Sequence, residues 1–200
     1  MVATIQNLLN TLAVSFDLPI LEWIQANLQS GFMDTAMPII TIFGDGGIFW
    51  IAWSVLLLLF PKTRKIGLGM GFALILGLLV CNVTLKPMIA RPRPYDFQLS
   101  EFGKVITLLV DAQHDFSFPS GHTIACFEAA TVLLKNSKKM GIPAIIIAVL
   151  VAFSRMYLYV HYPTDVIFSV FAGILFGILG NLVAKKIPLG KFGKKGKYEK

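Results

Sequence analysis

The tetrapeptide Pro119-Ser120-Gly121-His122 lies near the middle of the chain, at the predicted start of an apolar helix. Lys86-Pro87-Met88-Ile89-Ala90-Arg91-Pro92-Arg93-Pro94 precedes it, and Ser154-Arg155, His161 and Asp165 follow it. Together these segments contain cations, two imidazoles, a carboxylate and a glycine-containing turn. That set suits a site that binds a phosphate and attacks it. Most of the remaining sequence is apolar and of helical length, so it is expected to bring the three segments together.

The composition is typical of a membrane protein. The 200 residues are 56% hydrophobic and 14% charged, whereas about 25% of a soluble domain is charged. The net charge of +7 is unevenly distributed, because residues 1–60 contain no Lys or Arg and residues 185–200 contain seven Lys. We attribute this bias to membrane topology and expect no nucleic-acid partner. Cys81 and Cys126 both lie in apolar runs and are interpreted as buried small hydrophobic residues.

The hydropathy pattern predicts an all-α fold, a polytopic membrane helical bundle with five or six membrane helices. Residues 1–33 mix apolar and polar side chains and are predicted to form an amphipathic interfacial helix or, alternatively, a weak first span. Residues 34–184 form the predicted transmembrane domain, and residues 185–200 a basic cytoplasmic tail. The predicted spans are 34–60 (bent or broken at the glycines of residues 44–47), 66–85, 119–134, 140–160 and 166–184.

The distribution of Lys and Arg predicts the orientation of these spans. The two short loops at residues 61–65 and 135–139 hold six of the cations, and with alternating spans they lie on the same side as the tail. The positive-inside rule assigns that side to the cytoplasm. The remaining cations are all on the opposite, outer side; they are Lys86, Arg91, Arg93, Lys104 and Arg155. We therefore expect a multi-pass plasma-membrane protein whose functional site faces outward.

The outer side contains the groups that a phosphate site needs. Arg93 can donate two hydrogen bonds to phosphate oxygens, and Lys86 and Arg155 add positive charge. The amides around Ser120 and Gly121 lie at a predicted helix N-terminus, which favours an anion. The Ser120 hydroxyl can donate a further bond. These five residues are our candidate phosphate-binding residues.

Two histidines supply the reactive groups. His161 and Asp165 are four residues apart, so the carboxylate can hold one ring nitrogen as N–H and leave the other free to attack. We assign His161 as the nucleophile that forms a phosphohistidine, Asp165 as its orienting partner and His122 as the general acid. The cations already neutralise the developing charge. We therefore predict no metal and no other cofactor.

The three motifs resemble the signatures of the type 2 phosphatidic acid phosphatase family, which is related to vanadium haloperoxidases. The first is a Lys, six residues and Arg-Pro (Lys86 to Pro94). The second is Pro-Ser-Gly-His (Pro119 to His122). The third is Ser154-Arg155, five residues, His161, three residues and Asp165. The resemblance implies an all-helical fold with a four-helix catalytic core, the same roles for these residues, and a metal-independent membrane hydrolase of lipid phosphates or pyrophosphates.

The resemblance leaves several substrates open. Undecaprenyl pyrophosphate, hydrolysed to undecaprenyl phosphate, is ranked first because the predicted site faces outward. Some family members that act on it carry Asp at the position of Gly121, so a broad-specificity phosphatase acting on phosphatidylglycerophosphate or phosphatidate is the alternative. A third interpretation is a non-catalytic protein that binds or flips lipid phosphates. The expected partners are the lipid substrate and the bilayer, and the sequence does not indicate an oligomeric state.

A few polar residues have no assigned role. Arg91, Tyr95 and His114 fall in the predicted outer loop, where a solvated position is favoured over contact with a second phosphate. Glu128 lies within a predicted span, where a carboxylate is costly unless it is paired. Six residues separate it from His122, which places it on another face of the helix, and it is excluded from the catalytic set.

Overall fold

The computed structural model of the chain describes residues 2–188. Every regular element in that range is helical, which confirms the all-α prediction. Most of the predicted basic tail lies outside the described residues. The α-helices of the described range are α1 (Val2–Leu12), α2 (Leu18–Leu28), α3 (Gly31–Thr41), α4 (Ile48–Leu59), α5 (Arg64–Gly77), α6 (Lys86–Ile89), α7 (Pro94–Phe102), α8 (Gly121–Asn136), α9 (Lys138–Tyr157) and α10 (Pro163–Lys186).

Four helical segments are long and apolar enough to cross a membrane, and the protein is a multi-pass membrane protein. They are Gly31–Leu59, Arg64–Phe102, Lys138–Tyr157 and Pro163–Lys186. Helix α8 has only 16 residues, about 24 Å at 1.5 Å per residue. It packs against α5, α9 and α10, and most of its side chains from Thr123 to Leu133 are buried. Helix α8 therefore lies at the centre of the bundle.

Glycines permit the closest helix contacts. A Cβ built on Gly180 of α10 would lie 2.4 Å from the carbonyl oxygen of Gly69 in α5. A Cβ on Gly177 would lie 2.7 Å from the carbonyl oxygen of Glu128 in α8. Both neighbours are backbone atoms, so the helices could not approach this closely with a side chain at either position.

The first long segment is bent where the sequence predicts it. A 3₁₀ segment, Ile42–Gly47, joins α3 to α4, and Gly46 and Gly47 have φ values of 54° and 66°. Glycine adopts this left-handed backbone without steric cost. The bend confirms the prediction that the glycines interrupt the helix. The helix begins three residues earlier than predicted, because the Ser30 hydroxyl caps it by accepting from the amide of Met33.

The connection between Lys86 and α8 is more ordered than the predicted polar loop. A π-helical segment, Leu78–Leu85, continues α5 into α6, and after a short break α7 follows. Pro94 begins α7, and Gly103, with φ of 64°, ends it. The sequence prediction missed α7 because its charged and apolar residues show little amphipathic periodicity.

The opposite end of the bundle has very short connections. Ser137 alone separates α8 from α9, where residues 135–139 were predicted as a loop. Lys65, at the start of α5, donates a 3.2 Å hydrogen bond to the carbonyl oxygen of Lys185, at the end of α10. The basic residues at the start of α5 and at the end of α10 therefore lie at the same end of the bundle. The motif residues lie at the other end, where α6, α8 and α10 begin.

Candidate active site

A cavity of about 800 Å³ opens at the motif end of the bundle. Residues from all three motif regions line it, namely Lys86, Arg93, Gly121, His122 and His161. The two imidazoles therefore border one space although 39 residues separate them in sequence. The structure brings Lys86, Arg93 and both predicted histidines to a single cavity, whereas Arg155 and Ser120 are not among its lining residues.

Arg93 is held rigidly by backbone oxygens. Its Nε donates to the carbonyl oxygen of Asp115 at 2.8 Å, and its Nη1 donates to the carbonyl oxygen of Val160 at 2.7 Å. Nη1 also lies 3.4 Å from Nε2 of His161. The Arg93 side chain is only 3% exposed. Arg93 is thus fixed beside the predicted nucleophile by groups from two different loops.

Arg155 has donors without partners. Its Nη1 donates to the hydroxyl of Thr41 at 2.7 Å, whereas its Nε and Nη2 are buried and have no hydrogen-bond partner in the described part of the chain. An unpaired buried guanidinium is costly. The two orphaned donors are therefore available to an anionic ligand.

Asp115 bridges two of the predicted phosphate-binding cations. One carboxylate oxygen accepts from Nζ of Lys86 and the other from Nη2 of Arg93. Partial burial raises the pKa of the Asp115 carboxyl, but Lys86 and Arg93 outweigh burial and lower it to about 2. Asp115 itself is half exposed, in the segment between α7 and α8. It contacts the two cations as a pair of phosphate oxygens would.

His161 lies completely within the protein. It is 1% exposed, and its Nδ1 has no hydrogen-bond partner among residues 2–188. Burial, with a smaller effect from Arg93 and Arg155, lowers the pKa of the His161 imidazole well below its usual range. The neutral ring is thus favoured, which is the form that can act as a nucleophile.

Asp165 lies behind His161. Its Oδ2 is 3.6 Å from Nδ1 of His161, longer than a hydrogen bond. The same oxygen accepts from the Ser117 hydroxyl and, at 3.1 Å, from the amide of Tyr162, and Oδ1 accepts from Arg91 at 2.5 Å. The carboxylate is therefore fixed by several donors on the side of the imidazole that faces away from Arg93.

Arg91 is not a solvated loop residue, and that expectation is wrong. It is 1% exposed and pairs with Asp165 and, at 2.7 Å, with Asp17. Its guanidinium carbon also lies 3.7 Å from the centre of the Tyr162 ring. His114, in contrast, is exposed on the cavity rim.

The N-terminal segment contributes a buried carboxylate to this network. Asp17 accepts from the amide of Thr164 at 2.9 Å and from its hydroxyl at 2.7 Å, in addition to Arg91. Asp17 therefore connects the π-helical turn between α1 and α2 (Ala13–Asp17) to the first turn of α10. Whether residues 1–33 lie on the membrane surface or span the membrane, Asp17 connects them to the site.

His122 is positioned by close backbone contact. A Cβ on Gly44 would lie 2.9 Å from both Cβ and Cδ2 of His122, so Gly44 allows the ring to pack against the 3₁₀ segment. Its Nε2 is 4.0 Å from Oδ1 of Asp45, an exposed carboxylate. The imidazole of His122 thus borders the cavity, and the carboxylate of Asp45 lies nearby.

Ser120 and Gly121 differ in their access to the cavity. Ser120 is fully buried; its hydroxyl is 3.0 Å from that of Thr123, and its amide donates to Ser169 at 2.8 Å. Gly121 lines the cavity at the first position of α8. The predicted contact of the Ser120 hydroxyl with phosphate stays a prediction, and in this structure that hydroxyl pairs with the Thr123 hydroxyl and does not cap α8.

The site contains more polar residues than the motifs indicate. Those missed by sequence reasoning are Asp17, Thr41, Asp45, Asp115, Ser117, Thr164 and Ser169. Asp115 and Ser117 stand close before Pro119 and could have been noticed by proximity, whereas Asp17 and Thr41 carry no local signal. Within residues 2–188, no group of three His, Cys, Asp or Glu side chains is arranged to hold a metal ion.

Known proteins resemble this chain in sequence and in fold. The sequence model of the PAP2 superfamily matches residues 66–187. The chain is 36% identical over 143 residues to the undecaprenyl-diphosphatase of Sulfolobus acidocaldarius, covering 71% of this chain. It spans 66% of the length of that relative, slightly less than two thirds. It is also 29% identical over 151 residues to the undecaprenyl-diphosphatase BcrC of Bacillus subtilis, covering 76% of this chain and 75% of BcrC.

A solved structure has the same fold. The crystal structure of a transmembrane PAP2-type phosphatidylglycerolphosphate phosphatase from Bacillus subtilis superimposes with a TM-score of 0.71 at 28% identity. The superposition covers 96% of this chain and 95% of that chain. The similarity therefore includes the N-terminal helices that lie outside the matched family region.

Proposed function

The chain belongs to the PAP2 superfamily, and from that premise we propose that it is an integral membrane phosphatase that hydrolyses a lipid phosphate or pyrophosphate. The observation that carries the proposal is the pair of orphaned, buried Arg155 donors beside Arg93 and His161. A buried cation with free donors needs an anionic ligand. Lys86, Arg93 and Arg155, with the Ser120 and Gly121 end of α8, bind the phosphate in this proposal.

His161 is the proposed nucleophile. Its Nε2 faces Arg93, and its Nδ1 faces Asp165. With the proton on Nδ1, Nε2 has a free electron pair that attacks the phosphorus while the bond to the leaving oxygen breaks. The product is a phosphohistidine, and the guanidinium groups stabilise the charge on the equatorial oxygens.

His122 is the proposed general acid. It gives its proton to the leaving oxygen, which departs as the alcohol or the lipid monophosphate. Water then attacks the phosphohistidine and loses a proton to His122, and the P–N bond breaks. This cycle restores both imidazoles and consumes one water. We propose that it needs no metal, since the cations supply the charge neutralisation.

Among the candidate substrates, undecaprenyl pyrophosphate is the one that we rank first. The two curated relatives compared above carry undecaprenyl-diphosphatase names. Phosphatidylglycerophosphate or phosphatidate is the alternative, favoured by the fold similarity to a phosphatidylglycerolphosphate phosphatase and by Gly121 in place of Asp. A non-catalytic binding or flipping protein is disfavoured, because His122, His161 and Asp165 are all present. We propose that the site faces the outer side of the plasma membrane.

Phosphate release from purified protein tests the function. We expect hydrolysis of undecaprenyl pyrophosphate in excess EDTA, and no activity in His161→Ala with an unchanged unfolding temperature. Quenching the reaction of a substrate that carries ³²P in the transferred phosphate with alkaline SDS, in which phosphohistidine is stable, should trap labelled wild-type protein but not the variant. Activity in His161→Ala would reject the nucleophile assignment, and loss of wild-type activity in EDTA would indicate a metal mechanism. A folded protein that binds the lipids without releasing phosphate would support the non-catalytic alternative.

A further inference from the structure

The cavity extends beyond the phosphate-binding end into the apolar part of the bundle. Its walls between α4 and α5 are aliphatic, including Ile51, Val55, Leu58, Leu74 and Ile75. Such a surface suits the hydrocarbon part of a lipid. A polar side chain that lies on this apolar wall and has no hydrogen-bond partner within the protein therefore needs an explanation.

Glu128 is such a side chain. It lies on the cavity wall in the middle of α8 and is 1% exposed, and its Oε1 is buried with no hydrogen-bond partner in the described range. Gly77 makes room for it, because a Cβ there would lie 1.9 Å from that oxygen. The carboxyl thus fills the volume that any other residue at position 77 would occupy.

Asn82 is a second polar side chain on the same wall. Unlike Glu128, Asn82 is exposed, and no hydrogen bond of its amide is found within residues 2–188. Its Oδ1 lies 3.2 Å from the position of a Cβ on Gly121, so the amide is next to the start of α8. Glu128 is seven residues further along α8, about 10 Å at 1.5 Å per residue. The two groups therefore occupy successive depths below the phosphate-binding end.

The state of Glu128 follows from its surroundings. An isolated carboxylate in an apolar environment is costly, and no Lys or Arg forms an ion pair with it in the described part of the chain. The neutral acid avoids that cost and has an O–H that can donate. The Asn82 amide has two further donors. Both groups are thus suited to acceptor oxygens on a ligand.

We propose that Asn82 and Glu128 form a specificity subsite that donates hydrogen bonds to the ester carbonyl oxygens of a glycerophospholipid phosphate. The inference rests on the proposed function, since it assumes that the phosphate of the same lipid binds at Lys86, Arg93 and Arg155. A diacylglycerol moiety has carbonyl oxygens a few bonds from the phosphorus, where the chain enters the apolar cavity. A polyprenyl chain has none. The subsite therefore allows diacyl lipids to compete with polyprenyl substrates.

The test compares substrates that differ only in those oxygens. We would measure kcat/KM of the full-length protein in detergent for dioleoyl phosphatidate, its dialkyl ether analogue and undecaprenyl pyrophosphate. The variants are Glu128→Leu, which removes the donor, and the matched control Glu128→Gln, which keeps one. We expect the diacyl-to-dialkyl ratio of kcat/KM to fall at least tenfold in Glu128→Leu and less than threefold in Glu128→Gln. Asn82→Leu should lower the same ratio.

Two outcomes would overturn the subsite. One is an equal loss for the diacyl and dialkyl lipids in Glu128→Leu, which would mean a packing role. The other is a wild-type protein that hydrolyses undecaprenyl pyrophosphate but either hydrolyses neither of the two glycerolipids or discriminates less than threefold between the diacyl and dialkyl forms. In that case the proposed function would stand without the subsite. If none of the three substrates were hydrolysed, the proposed function would fail and the subsite with it.

Discussion

Oδ2 of Asp165 lies 3.6 Å from Nδ1 of His161, while Oδ1 of the same carboxylate accepts a 2.5 Å hydrogen bond from Arg91. The carboxylate is thus anchored more tightly to Arg91 than to the imidazole it is proposed to orient. Asp17 pairs with the other nitrogen of that guanidinium. An arginine outside the signature positions, and a carboxylate from the N-terminal segment, therefore determine where Asp165 lies.

Replacing Arg91 tests this network. In Arg91→Met, Asp17 and Asp165 lose their shared cation while both stay buried. Breaking a buried ion pair typically costs about 3–5 kcal/mol, and we expect a loss of that order in stability. Lys104→Met is the control, because its pair with Glu22 is half exposed and such a pair contributes about 0–1 kcal/mol. Thermal unfolding in detergent compares the two, and equal losses would contradict the central role of Arg91.

Asp115 is expected to compete with phosphate. It occupies donors of Lys86 and Arg93 and, with its pKa lowered to about 2, is ionised at neutral pH. Asp115→Asn should therefore bind inorganic phosphate more tightly, with a three- to tenfold lower inhibition constant as an order of magnitude, or about 0.7–1.4 kcal/mol. Asp111→Asn, an exposed position in the same connection, should leave the constant unchanged. Weaker phosphate inhibition in Asp115→Asn would instead mean that Asp115 helps to position the cations.

The lowered pKa of His161 predicts a pH dependence of stability. The folded state holds the ring neutral, whereas the unfolded state binds a proton below about pH 6.5. The unfolded state then binds more protons, so stability falls as the pH drops below that value and is retained above it. In phosphate-free buffer, the unfolding temperature of His161→Gln should therefore decrease less between about pH 7 and pH 5 than that of the wild type. Parallel curves would show that burial does not suppress the charge on His161.

The contact between α5 and α10 should tolerate no side chain at Gly180. The Cβ of Gly180→Ala would lie 2.4 Å from a backbone oxygen, and relieving that clash requires the helices to separate. Overpacking of this kind typically costs about 1–3 kcal/mol. Gly71→Ala is the matched control, since its Cβ would meet only the Ser54 hydroxyl at 3.5 Å. Similar unfolding temperatures for the two variants would contradict the close approach.

The outward orientation of the site can be tested by labelling. Asp111 lies in the connection at the motif end, and Lys62 in the short basic turn at the other end. In intact cells, a membrane-impermeant maleimide should label Asp111→Cys and not Lys62→Cys, with Cys81 and Cys126 protected by burial. Permeabilised cells should label both. The reverse pattern would place the site on the cytoplasmic side.

Part of the site was predictable because its signals are local. His122 and Gly121 stand together at a helix start, and His161 and Asp165 are four residues apart across another. Alternation of apolar spans with charged connections then brings such helix ends to one side of a membrane. Arg91 was misjudged for the same reason: its neighbours in sequence indicate a loop, and its partners Asp17 and Asp165 are each 74 residues away.

The sequence by itself determined the helical class, the approximate spans and the identity of the motif residues. Long apolar runs and short fixed spacings can be interpreted within a single segment, because they depend only on how that segment behaves in a bilayer. Only the tertiary structure decided which groups hold those residues. Asp115 meets Lys86 and Arg93, Thr41 meets Arg155, and Glu128 packs against Gly77 with its Oε1 unpaired among the residues that the structure describes. These contacts depend on how bent helices pack at their glycines, and packing joins residues whose separation along the chain carries no periodic signal.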